Sequence, residues 1–184
     1  TKDVDQLKDK KKAHDTYNYA KNKLVLIGDK DKNYKSVKDL KDGDKLALGE
    51  VKTVPAGKYA KQYLEDNNLY NSVKDKIINA KDVKQVLNYV EKGNAQMGFV
   101  YETDLYTNNE RTDKVNEIKK ADLKKPITYE AGATSDNKFA KEWMEFLKSK
   151  KAKNILKEYN FKGNRRNKMI KIRTELMQFK TCIH

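Results

Sequence analysis

Three short stretches hold the residue types from which an anion site can be built without charged side chains. Thr53-Val54-Pro55-Ala56-Gly57-Lys58-Tyr59-Ala60 puts Pro and Gly at the mouth of a helix, directly after the apolar strand Leu46-Ala47-Leu48-Gly49. Free backbone N–H groups and the positive end of the helix dipole converge at such a mouth, and together they bind anions. Ala80-Lys81-Asp82-Val83 repeats the strand-to-helix layout, with Asp82 as its N-cap. Tyr101 ends the strand Ala95–Tyr101 and supplies a phenol that can donate a hydrogen bond. Two helix N-termini and one hydroxyl make a neutral cradle, which reads the size and hydrogen-bond geometry of an oxyanion. Plain folding roles fit the same residues: a Pro-Ala-Gly helix start, an Asp cap and a core-edge tyrosine. Spacing alone leaves both readings open.

Other chemistries lack their residues. No Ser–His–Asp set, paired carboxylates or metal-ligand cluster occurs at useful spacing, so an enzyme or a direct cation site is not expected. His14 and His184 lie near opposite ends, and Cys182 is the only cysteine, which excludes an internal disulfide framework. Charged residues make up 37% of the 184, with a formal net charge of +14. Only four cations are arginine (Arg111, Arg165, Arg166, Arg173), and readers of bases and phosphates recruit Arg. A lysine-rich solvated exterior is therefore expected rather than a nucleic-acid face. The exception is residues 162–184, with seven cations against one anion, net +6. That tail supports an alternative reading as a basic nucleic-acid or anionic-surface binder. No run of about 18 apolar residues is present to span a membrane.

The elements that must position the cradle follow from periodicity. Residues 1–20 read as a polar, helix-compatible lead in which His14 is a surface residue. Asn22-Lys23-Leu24-Val25-Leu26-Ile27-Gly28 is a strand buried on both faces, and Ser36–Leu40 is a one-turn helix. Lys45–Gly49 is a strand, and the helix after it runs from about Gly57 to Asn67. A further helical piece, Leu69–Asp75, precedes the brief strand Ile77–Asn79. Val83–Glu91 is a helix stopped by Gly93, and Ala95–Tyr101 is the strongest strand. A strand at Val115–Ile118, an extended Lys125–Tyr129 and two helices, Phe139–Leu147 and Ala152–Tyr159, complete the series. Such alternation predicts an α/β fold with a parallel or mixed sheet, and these sheets bind ligands where strands end and helices begin.

Val54-Pro55-Ala56-Gly57-Lys58-Tyr59-Ala60-Lys61, the run Ala80–Glu91 and Gly98-Phe99-Val100-Tyr101-Glu102-Thr103-Asp104 together resemble the periplasmic molybdate-binding protein of ABC transporters. The three occur in family order and spacing, and the similarity extends from about Asn22 to Phe161. The resemblance implies a Rossmann-like lobe of a two-lobe periplasmic-binding-protein fold, with the second lobe incomplete. It implies that the backbone N–H groups of Ala56 and Val83 and the hydroxyl of Tyr101 hold a tetrahedral oxyanion. Pro55, Gly57 and Asp82 would shape the turns. The implied ligand is molybdate or tungstate, with no cofactor, and the implied partner is a membrane permease of an ABC importer. Location would be periplasmic, or at the cell surface through a lipid anchor on a precursor whose leader is not in this chain.

Four segments are expected: 1–23 as a remnant of lobe 1, 24–126 as the anion-binding lobe, 127–161 as C-terminal helices of lobe 1, and 162–184 as a basic tail unlike the family. In the family, two further ligand serines come from loops early in lobe 1. Ser36 lies in the wrong place for either and no serine precedes it, so the opposite wall of the cage is expected to be absent. Exchange of segments between two copies is a possible consequence.

Overall fold

A computed structural model describes residues 2–107 and 110–158. In chain order the elements are α1 (Lys2–Asp9), β1 (His14–Asn22), β2 (Leu24–Asp29), β3 (Leu46–Gly49), α2 (Pro55–Asp66), α3 (Tyr70–Val73), β4 (Ile77–Ala80), α4 (Val83–Glu91), β5 (Met97–Tyr101), β6 (Tyr106–Thr107), β7 (Glu110–Arg111), β8 (Val115–Lys120), β9 (Ile127–Ala133), α5 (Lys138–Lys148) and α6 (Lys150–Glu158). Short 3-10 turns cover Val37–Asp39, Lys74–Lys76 and Glu102–Leu105. They group into two compact units, one from Lys23 to Pro126 and one made of the segments on either side. The tail 162–184 lies outside the described residues.

The Lys23–Pro126 unit is built on a five-stranded mixed sheet of order β4-β3-β5-β2-β8. Strand β3 pairs in parallel with β4 on one side and with β5 on the other. Strand β2 runs antiparallel to both β5 and β8. Burial on both sheet faces accounts for the unbroken apolar run of β2, where Leu24, Val25 and Ile27 are fully buried. Successive strand residues point to opposite faces. Phe99 meets Tyr63 of α2 edge-to-face at 5.7 Å. The next position back, Gly98, faces α4: a Cβ there would lie 2.7 Å from Val86 Cγ1 and 3.1 Å from Val90 Cγ2. Helices α2 and α4 therefore cover opposite faces of the sheet.

Connectivity explains this. The chain leaves β3 outward to its neighbour β4, then returns across β3 to β5. Parallel crossovers keep one hand, so reversing direction puts the two helices on opposite sides. The reversal is a switch point at the carboxyl end of β3, where sheets of this class open a crevice.

The other unit holds a two-stranded antiparallel sheet, β1 with β9, pairing His14 with Ala133 and Asn22 with Ile127. This corrects two expectations. The lead is not helical throughout, because residues 14–22 form β1, and its polar composition suits a strand with solvent on one side. Residues 127–161 are not helices throughout, because Ile127–Ala133 form β9. Asp15, at φ 46°, marks the irregular register between His14 and Tyr17. Helix α1 is tied to β9 by Lys8 Nζ donating to Glu130 Oε1. Helix α5, capped by Asn137 accepting from the Ala140 N–H at 2.8 Å, buries Met144. Phe139 is 65% exposed and Trp143 44% exposed. Trp143 stacks on Phe146 along the helix, with ring centres 6.1 Å apart.

Candidate functional site at the carboxyl edge of the sheet

The three expected groups come from three adjacent parallel strands, β4, β3 and β5, and meet the same edge of the sheet. Helix α2 starts two residues earlier than expected. Val54 is its N-cap and Pro55 its first residue, so Ala56 and Gly57 lie inside the first turn. Proline belongs there, since its fixed φ suits the helix and its missing N–H would have no partner. The turn ahead is closed by the Glu50 carbonyl, which accepts from Thr53 N at 3.2 Å and Val54 N at 2.8 Å. The Val54 carbonyl takes Gly57 N at 3.0 Å and Lys58 N at 3.3 Å. No backbone acceptor takes the Ala56 N–H among the described residues, and Ala56 is only 1% exposed. An N–H left unpaired out of water costs about 1–3 kcal/mol.

Gly57 is fixed by close approach. A Cβ there would lie 1.8 Å from the Gly49 carbonyl oxygen, so the first turn of α2 rests directly on the end of β3. Gly49 was not singled out from the sequence. Its signal was present, since a glycine closing an apolar strand ahead of a glycine-bearing helix start suits tight strand–helix packing.

At the second turn Asp82 is the N-cap of α4, as expected, and its side chain accepts from Gln85 N at 2.8 Å. Gln85 reciprocates, its Oε1 accepting from Lys81 N at 2.7 Å. The Asp-x-x-Gln spacing behind this pair of bonds was readable in the sequence and was missed. This pair occupies the flanking N–H groups and leaves Val83 N, at the first helical position, without an acceptor among the described residues. The two turns are joined, because Glu50 N donates to the Ala80 carbonyl at 2.8 Å one residue beyond the Gly49–Ala80 register pair.

Tyr101 ends β5, half-buried, with its N–H donating to Asp104 Oδ2 at 3.2 Å. Alternation along β5 places its ring on the face of Phe99, which is the face of α2. The neighbouring Glu102 is paired with Lys120 Nζ at 3.0 Å, which raises the lysine pKa and offsets the carboxylate near the edge. Among the described residues no group of three or more His, Cys, Asp or Glu could hold a metal ion, and no helix is long and apolar enough to cross a membrane.

Parallel strands feeding helices on both faces, with the candidate groups at a switch point, define a Rossmann-like α/β lobe of the periplasmic-binding-protein class. The chain belongs to the family of bacterial extracellular solute-binding proteins, whose sequence pattern matches residues 1–162. This is a family of binding proteins, not enzymes.

Similarity extends to a putative ABC transporter substrate-binding lipoprotein, YvgL, of Bacillus subtilis, 41% identical over 76% of this chain and 55% of that protein. The molybdate-binding protein ModA of Haemophilus influenzae is 35% identical over 63% of this chain and 46% of its own length. The chain thus spans about half the length of the curated relatives it matches. Among solved structures, the substrate-binding domain of a putative molybdenum ABC transporter from Clostridium difficile superposes with a TM-score of 0.70 at 38% identity, covering 86% of this chain and 71% of that one. The Azotobacter vinelandii periplasmic molybdate-binding protein shares the fold, with a TM-score of 0.65 at 20% identity over 86% of this chain and 73% of its own.

Proposed function

We propose that this chain is the anion-binding part of an extracytoplasmic solute-binding protein that captures molybdate or tungstate for an ABC importer. One observation carries the reading: Ala56 and Val83 stand at two helix starts on adjacent parallel strands, each with an N–H that no acceptor in the described chain takes. Those two N–H groups and the Tyr101 hydroxyl hold the oxyanion, while Pro55, Gly57 and Asp82 shape the turns. Support for molybdate over sulfate or phosphate comes from the names borne by the Haemophilus and Azotobacter relatives. The cradle is neutral and preorganised, so it selects by size and donor geometry, and both helix dipoles favour the dianion. The partner is a membrane permease that recognises the loaded protein. The site of action is outside the cytoplasmic membrane, in the periplasm or at a lipid-anchored surface.

A ligand bound only by the folded state stabilises it by about 2.7 kcal/mol at a hundred times its Kd. Millimolar molybdate is expected to raise the melting temperature more than equal sulfate does. Tyr101→Phe is expected to shrink that shift by removing one donor while keeping the ring. Equal melting temperatures with and without either anion would contradict the reading.

A further inference from the structure

We propose that the contact between Gly49 and Gly57 is the specificity-determining element of this cradle, setting the separation of the Ala56 and Val83 N–H groups and so the size of oxyanion accepted. The inference rests on the anion-binding reading above. A Cβ on Gly57 would lie 1.8 Å from Gly49 O and 2.5 Å from Gly49 C. Both are backbone atoms, which cannot swing aside. Any side chain at 57 must lift the start of α2 until it reaches the 3.4 Å at which ordinary contact begins, a retreat of well over an ångström. A Cβ on Gly49 would meet Val54 Cγ1 at 2.5 Å and Val54 Cβ at 2.8 Å, so the N-cap residue of α2 is part of the same interlock.

The interlock reaches the second wall without a break. Gly49 is followed by Glu50, whose N–H holds the Ala80 carbonyl at 2.8 Å. Ala80 is followed by Lys81, held by Gln85, and Gln85 by Asp82. Every link is a backbone hydrogen bond, a short side-chain cap or a glycine contact, none of which stretches by an ångström and survives. Because molybdate is larger than sulfate by a fraction of an ångström per bond, a cradle of fixed width discriminates between them. A cradle loosened at 57 does not.

The test is calorimetric titration of the whole chain with sodium molybdate and sodium sulfate. Four proteins are compared: wild type, Gly57→Ala, Gly49→Ala and Gly49→Ala with Val54→Gly. Wild type is expected to favour molybdate. Gly57→Ala and Gly49→Ala are expected to lose at least about tenfold in molybdate affinity, with the molybdate-to-sulfate ratio falling towards one. Val54→Gly removes both atoms that Gly49→Ala would strike, so the double variant is expected to regain the ratio. It should still melt below wild type, because Val54 is 8% exposed and its burial is lost. A merely structural role would move melting temperature and not that ratio. Unchanged selectivity in Gly57→Ala, or no recovery in the double variant, overturns the proposal while leaving the binding reading intact. Wild type binding neither anion would overturn both. If Gly57→Ala does not fold, the Gly49 pair decides alone.

Discussion

At Val83 a single N–H can be removed while the helix start is kept. It is the first residue of α4, the position where proline is best tolerated, and its N–H has no partner among the described residues. Asp82 ahead of it is extended, at φ −160° and ψ 171°, as the residue before a proline prefers to be. Ala56 offers no such clean change, because Pro55 before it is already helical. Elsewhere the informative residues are charged. Lys8 donates to Glu130, which holds the Glu130 carboxyl below its ordinary value and raises the lysine. For a depressed carboxylate the stabilisation is present above the unfolded pKa, near 4.5, and is lost as pH falls through the folded value. Thermal melts between neutral and acid pH are expected to show this decline, and Glu130→Gln is expected to flatten it. An identical acid slope in the variant would contradict the assignment. None of this was legible in sequence, because Lys8 and Glu130 are brought together only by packing α1 on β9.

Elements divide by how local their cause is. Helix α4 was readable to the residue, since an Asp cap, a 3-1-3 apolar spacing and a stopping glycine all act within its own length. Asp82→Ala is expected to lower stability by about 1 kcal/mol in a denaturant melt, the usual worth of a cap. Helix α2 was misplaced by two residues because proline at its first position resembles a turn. Strand β1 was missed entirely: its alternation is polar and its partner β9 lies over a hundred residues away. The amphipathic helix α5 was readable in the sequence, but what covers it was not: periodicity reports a face, and Phe139 and Trp143 are exposed. Phe99, in contrast, is fully buried between α2 and the sheet. Its replacement by Ala is expected to destabilise by about 3–5 kcal/mol in the same melt. A loss under about 1 kcal/mol would contradict its place in the core.

Across the whole molecule, the class of fold was legible because alternating strands and helices admit few arrangements. Sheet order was not, and the order is what brings the candidate groups to one edge. The +14 charge reflects a lysine-rich exterior, whereas the proposed cradle depends on backbone dipoles that composition does not record. In the proposed function, unpartnered N–H groups at two helix starts, not lysines, bind the anion. Calorimetric titration of molybdate into the intact chain and its Val83→Pro variant tests this most directly. A hydrogen bond to a charged group is worth about 1.5–3 kcal/mol. The variant is expected to fold, with a melting temperature close to wild type and a molybdate affinity about ten- to hundredfold lower. A folded variant that binds molybdate as tightly as wild type would contradict the proposed function.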